Sequence, residues 1–134
     1  MSGLDQLFEA ARAAQRRAYA PYSRFPVGAA LRTPGGALFS GCNVENAAYP
    51  LGLCAETAAI AAMIGAGETK IAEILVLGPG PGRLAPCGAC RQRIAEFATE
   101  ATAIHLAGGT GAVETLRFAD LLPRPFGPAS LKRD

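Results

Sequence analysis

From Leu4 onward, apolar residues recur at Leu7, Phe8, Ala11, Ala14 and Ala18, with Arg12, Gln15 and Arg16 elsewhere on the wheel; this predicts an amphipathic helix. Ser2 and Asp5 form a Ser-x-x-Asp start resembling a capping box. Tyr19-Ala20-Pro21-Tyr22 closes the helix, because the residue before proline is driven out of helical geometry. Val27 to Arg32 then reads as a strand, Thr33-Pro34-Gly35-Gly36 as a turn, and Ala37 to Ser40 as the returning arm of a hairpin. Asn43 to Pro50 is a polar loop. An alanine-rich helix starts near Cys54 and stops at Gly65-Ala66-Gly67. It is apolar on every side, which predicts burial all round. Ile71 to Leu77 holds Ile74-Leu75-Val76-Leu77 and reads as a buried central strand. Gly78 to Gly82 is a stiff irregular loop. A second helix runs from about Cys87 to Ala98, strands follow at Thr102–Leu106 and Val113–Phe118, and a glycine-rich turn joins those two.

The 134 residues are enough for one domain with a sizeable core, and half of them are hydrophobic. One domain over 1–134 is therefore expected, with a proline-rich tail from about 122 to 134 extended over a surface. A net charge of +2 with scattered Lys and Arg, Arg16-Arg17 apart, lacks the basic tract of a nucleic-acid binder. The first residues carry no signal-peptide apolar segment, and the Leu51–Ala66 run is a poor membrane span. The expected location is cytoplasmic, without membrane or nucleic-acid partners. There, four cysteines read as metal ligands or free thiols before disulfides.

Composition leaves one anomaly. Glu56 is the only charged residue from Leu51 to Ala66. A buried carboxylate is costly unless paired, hydrogen-bonded or protonated. Cys54 stands two residues before it, and Pro86-Cys87-Gly88-Ala89-Cys90 follows downstream. Catalytic zinc usually takes three protein ligands and keeps one position open. Cys54, Cys87 and Cys90 could supply them from the starts of two helices, whose partial positive charge favours thiolates. A four-cysteine knot including Cys42 is the structural alternative, but it leaves Glu56 without a purpose. His105 reads as a structural strand residue.

Cys54-Ala55-Glu56 with Pro86-Cys87-Gly88-Ala89-Cys90 matches the all-cysteine form of the zinc deaminase signature. Tyr22 to Ala30, Gly41 to Pro50, Arg91-Gln92, Leu121-Leu122-Pro123 and Phe126-Gly127 extend the match, and the chain closely resembles the small tetrameric cytidine deaminases. The resemblance implies a three-layer α/β/α domain with a mixed five-stranded sheet. It implies hydrolysis of cytidine and deoxycytidine to uridine and deoxyuridine in pyrimidine salvage. One Zn2+ per subunit would be held by Cys54, Cys87 and Cys90, with Glu56 as proton shuttle. Asn43 and Glu45 would bind the ribose hydroxyls, Phe25 would pack on the pyrimidine, and the Ala55 backbone would meet the base edge. Tyr49 and Phe126 would reach a neighbouring subunit's site in a homotetramer with shared sites.

One position departs from many all-cysteine relatives, where Arg follows the catalytic Glu and hydrogen-bonds ligand thiolates. Here the residue is Thr57. Three thiolates around a divalent ion leave a net negative cluster. The compensation expected from the sequence comes from the two helix N-termini and from Arg91, beside Cys90. Polynucleotide-editing deaminases share the zinc core but place a helix where this chain has the Gly108–Gly111 turn. So short a turn joins only antiparallel strands.

Overall fold

The computed structural model describes residues 1–131, so the last three residues of the expected tail lie outside the described residues. Helix α1 (Gly3–Gln15) opens the chain. Strands β1 (Gly28–Arg32) and β2 (Leu38–Cys42) form a hairpin, and α2 (Ala55–Gly65) leads into β3 (Glu73–Leu77). Then come α3 (Gly88–Phe97), β4 (Ala103–Ala107), β5 (Val113–Arg117) and a short α4 (Phe118–Leu121). The strands form one sheet in the order β2-β1-β3-β4-β5. Only β3 and β4 run parallel, across the crossover through α3; the other neighbours are antiparallel. The β4–β5 pair is thus the hairpin that the glycine-rich turn requires.

Strand alternation sorts the core into two halves. Ala30, Leu75, Leu77 and Ala107 face Leu7 and Ala11 of α1. Ala29, Leu31, Ile74, Val76, Ile104 and Leu106 face Ala59, Ile60 and Met63 of α2 and Ile94 of α3. The result is the expected three-layer α/β/α stack on a mixed five-stranded sheet. Two glycines set how closely the outer layers approach. A Cβ on Gly28 would lie 1.9 Å from the Ala11 carbonyl oxygen of α1. A Cβ on Gly41 would lie 2.5 Å from the Ala59 nitrogen of α2.

The capping box forms as read: Asp5 N–H donates to Ser2 Oγ at 3.1 Å, and Ser2 N–H to Asp5 Oδ2 at 3.2 Å. The helix nevertheless stops at Gln15, before Ala18. Tyr19 is captured instead by a short irregular ladder: its N–H donates to Asn43 O at 3.0 Å, and its carbonyl accepts Glu45 N–H at 2.8 Å. Strand β2 runs two residues beyond Ser40, because Gly41 and Cys42 pair with Ala29 and Gly28. Phe118 leaves β5 to start α4 and is buried. The tail is not extended throughout, since Pro128–Leu131 forms a 3₁₀ turn. Helix α2 departs most from its reading. Ala55, Glu56, Ala59, Ile60 and Met63 are buried, but Ala61, Ala62 and Ile64 are exposed in the single chain. His105 has the structural surroundings its strand position predicts. Nε2 lies 2.9 Å from Glu73 Oε1 and Nδ1 lies 2.8 Å from Thr115 Oγ1.

Candidate active site

Two helix starts and one strand end meet at the same end of the sheet. Cys54 is the N-cap of α2, and Cys87 is the N-cap of α3 with Cys90 in its first turn. Their three sulfur atoms all lie within 4.8 Å of one another. Sulfur ligands on a tetrahedral zinc at ~2.3 Å stand roughly 3.8 Å apart, so this triad fits the ion with small adjustments. Cys42 is outside the cluster, and the four-cysteine knot is not formed. Glu56, one position after the N1 residue Ala55, is only 4% exposed.

The titration pattern reflects this crowding. Burial first, then the neighbouring thiol and carboxyl groups, push Cys54 up. Burial and then the Glu56 charge push Cys90 up strongly. Burial also raises the Glu56 carboxyl. Cys87 alone is lowered, chiefly by the backbone N–H of Cys90 in the first turn of α3. Four acidic groups packed together cannot all ionise without a compensating cation, and a soft three-thiol set selects zinc among the common ones.

Neither side chain considered for balancing that charge behaves like the missing arginine. Thr57 Oγ1 lies 3.8 Å from Cys90 Sγ, one weak hydroxyl contact. Arg91 donates Nε–H to Pro86 O at 2.9 Å and Nη1–H to Leu121 O at 3.0 Å. Its side-chain bonds run to backbone carbonyls; the backbone N–H groups at the start of α3 lower Cys87, and the charge of Arg93 acts on Glu56.

A cavity of about 600 Å3 opens above this floor. Cys54, Ala55, Glu56 and Cys87 line it, and Asn43, Glu45 and Tyr49 join from the loop after β2. A bridge of Val44 to both Tyr19 and Leu53 holds that loop beside Cys54. Asn43 Oδ1 accepts Val27 N–H at 2.9 Å, and its Nδ2 donates to Phe25 O at 2.9 Å. Glu45 Oε1 accepts the N–H groups of Tyr22 at 2.9 Å and Ser23 at 3.1 Å, and Oε2 accepts the Ser23 hydroxyl. The Ser23 hydroxyl is the largest cause holding Glu45 below the usual carboxylate value. Tyr49 sits edge-on to Tyr22, ring centroids 5.9 Å apart. Both residues that the resemblance assigns to the sugar therefore also fasten the 22–27 segment.

The aromatic residues divide. Tyr49 lines this chain's own cavity while remaining 75% exposed. Phe25 and Phe126, 44% and 59% exposed, are not among the lining residues of the single chain. Gln92 Nε2 fixes the backbone at Phe126 by donating to its carbonyl at 2.8 Å. Sequence reasoning gave no role to Ser23, although it lies in a quoted matching stretch. A serine two residues before Phe25 carries no signal until the carboxylate it holds is known.

The family model for the cytidine and deoxycytidylate deaminase zinc-binding region matches residues 1–106. A cytidine deaminase from Sporosarcina psychrophila is 38% identical over 128 residues, covering 96% of this chain and 94% of the relative. The crystal structure of cytidine deaminase from Burkholderia pseudomallei superposes with TM-score 0.88 at 46% identity, covering 94% of this chain and all of that one. That from Mycobacterium tuberculosis gives TM-score 0.82 at 36% identity, covering 95% and 99%.

Proposed function

This chain belongs to the cytidine and deoxycytidylate deaminase family, and on that premise we propose how its own residues carry out the reaction. It is a zinc-dependent enzyme that hydrolyses cytidine to uridine and releases ammonia. The observation that carries the reading is Glu56, a carboxyl 4% exposed, packed with three thiols under a cavity with a polar rim.

Cys54, Cys87 and Cys90 would hold the zinc, which when bound would supply an acidified water as nucleophile at neutral pH. Glu56 would move two protons: one from the attacking water to the ring nitrogen N3, and then one from the new C4 hydroxyl to the departing amino group, leaving the carbonyl of uridine and ammonia. In the metal-free chain burial raises the carboxyl above its usual value. The Ala55 backbone, at the first turn of α2, meets the base edge.

Asn43 and Glu45 bind the sugar hydroxyls with what capacity their own-chain bonds leave. Glu45 retains about one acceptor site of a carboxylate's roughly four. One hydroxyl satisfies it, and deoxyribose keeps its 3′-hydroxyl, so deoxycytidine is the second substrate. Phe25 packs against the pyrimidine. Phe126, and Tyr49 from the rim of its own chain's cavity, reach a neighbour's cavity in a homotetramer. The open Ala61–Ala62–Ile64 side of α2 and the exposed Val44, Tyr49, Leu51 and Leu53 support that assembly. The whole chain acts as one domain around its single sheet. It serves pyrimidine salvage in the cytoplasm; no described helix is long and apolar enough to cross a membrane. The antiparallel β4–β5 pair favours free nucleosides over polynucleotides.

Loss of cytidine absorbance with purified zinc-loaded protein tests the reading against deoxycytidine, adenosine and single-stranded DNA. Turnover of the two pyrimidine nucleosides alone is expected. Preferential deamination of the polynucleotide would overturn it. Light scattering under assay conditions tests assembly, and a fully active monomer would remove the shared sites.

A further inference from the structure

The rim offers a residue whose bonds are unusually complete for so exposed a position. Ser23 donates its hydroxyl to Glu45 Oε2, and Ser23 Oγ in turn accepts Phe25 N–H at 3.0 Å. Its own N–H donates to Glu45 Oε1 at 3.1 Å. Between Ser23 and Phe25 stands Arg24 with φ at +56°, a left-handed conformation that disfavours side chains other than glycine and asparagine. The turn is closed by Arg24 N–H donating to Ala20 O at 3.0 Å. A strained turn persists only where its surroundings hold it, and the side chain that holds both its ends is Ser23.

We propose that Ser23 is a positioning residue for nucleoside recognition: it fixes the rotation of the Glu45 carboxylate and ties that carboxylate to the backbone of Phe25. This rests on the reading above that Glu45 accepts a sugar hydroxyl. Two Oε1 bonds alone would let the carboxylate pivot about that oxygen. The Ser23 hydroxyl on Oε2 removes the pivot, so the remaining acceptor site has one orientation when substrate arrives. A hydroxyl is required because one small group must donate to the carboxylate and accept from an amide together. Alanine does neither, and threonine keeps both. The same atom joins the sugar contact to the segment carrying Phe25, so sugar and base recognition move as one body.

The test uses zinc-loaded full-length protein with cytidine and with a dideoxycytidine that lacks both sugar-ring hydroxyls. Ser23→Ala should raise KM for cytidine ~5–20-fold, the loss of a charge-assisted hydrogen bond at an open rim. The kcat should stay within about twofold, since the bond orients binding and not chemistry. Kinetics on the dideoxy substrate should move less, through the loosened Phe25 segment alone, so the cytidine-to-dideoxycytidine preference shrinks. Ser23→Thr should restore it. Glu45→Gln, run alongside, should collapse the same preference, and adding Ser23→Ala to it should cost little more. If Glu45→Gln leaves the preference intact, the sugar role of Glu45 fails. If Glu45→Gln collapses it and Ser23→Ala does not, Glu45 stands and the role of Ser23 is overturned. Equal losses on both substrates, with a lowered melting temperature, would also overturn it by making Ser23 merely structural. Should Ser23→Ala not fold, Ser23→Cys keeps the volume with a weak donor, and the same shrinkage is required of it.

Discussion

At the floor of the cavity the thiol cluster and Glu56 stand on the first turns of two helices pressed against a sheet; at its rim, the polar residues stand on loops fastened by side chains. Cys54, Glu56 and Cys90 are held by backbone helix geometry and by core residues such as Ala59, Met63 and Ile94. Asn43, Glu45 and Ser23 are held by one another, through bonds to the Phe25 and Val27 backbone. At the floor, burial pushes Cys54, Glu56 and Cys90 up, while the exposed Cys87 is lowered by the backbone N–H of Cys90. The rim is open, and the shift of Glu45 comes first from a single hydroxyl. Rigid elements fix reacting atoms, while a polar network that substrate also joins can tune affinity without disturbing them.

The sharpest break between the two regions is chemical. Glu56→Gln should keep the fold and its zinc, yet lose at least ~10⁴ in kcat, because one residue serves several proton transfers each worth roughly 10²–10⁴. Turnover and zinc content measured on the same preparation decide this. Near-normal turnover with full zinc would contradict the role.

Next comes the packing under the floor. Gly41→Ala forces a Cβ to within 2.5 Å of the Ala59 nitrogen, so α2 must move. Overpacking of this kind costs about 1–3 kcal/mol. Because Cys54 and Glu56 ride on α2, zinc affinity and kcat should fall together, measured by chelator competition and turnover. A rim substitution should not do this. Asn43→Ala leaves Val27 N–H and Phe25 O without their partner, and should raise KM about tenfold while zinc affinity stays put. A drop in zinc affinity would mean that the two regions are mechanically one.

The smallest effect is a pH dependence confined to the floor. Burial raises Glu56 above 4.5 in the folded metal-free chain. The folded state therefore binds the proton more tightly than the unfolded state, and stability contributed by the protonated carboxyl is lost as pH rises through the folded value. Denaturant titrations of metal-free protein should show Glu56→Gln gaining on the native chain as pH rises above about 4.5. Parallel curves would show that Glu56 ionises in the fold without penalty. Ser23 and Glu45 variants should leave this slope unchanged.

Much of the floor was legible before any coordinates. Periodicity located α1, apolar runs and turn signals located α2, α3 and all five strands, and a lone acid in an apolar run beside cysteine spacings drew attention to the site. These signals are local: helix period, strand alternation and Cys-x-x-Cys are each written within a few residues. The reading of α2 as buried on every side went too far for one chain, because hydropathy reports what a face prefers and not what covers it. The end of α1 was misplaced for a related reason. Its helical pattern continues to Ala18, but Tyr19 is claimed by Asn43 and Glu45, residues more than twenty positions away.

The sequence by itself determined the main helices and strands, the clustering of Cys54, Cys87 and Cys90 beside Glu56, and the antiparallel β4–β5 hairpin, since short-range sterics and spacing govern each. Tertiary structure alone decided that Arg91 turns to the carbonyls of Pro86 and Leu121, and that Thr57 supplies a single contact to Cys90. It alone decided that Gly41 seats α2, and that Asn43 and Glu45 spend most of their bonding capacity on their own chain. The physical reason is that hydrogen bonds and close contacts depend on distances between segments remote in sequence. No local pattern encodes which donor will meet which acceptor once the sheet has brought them together.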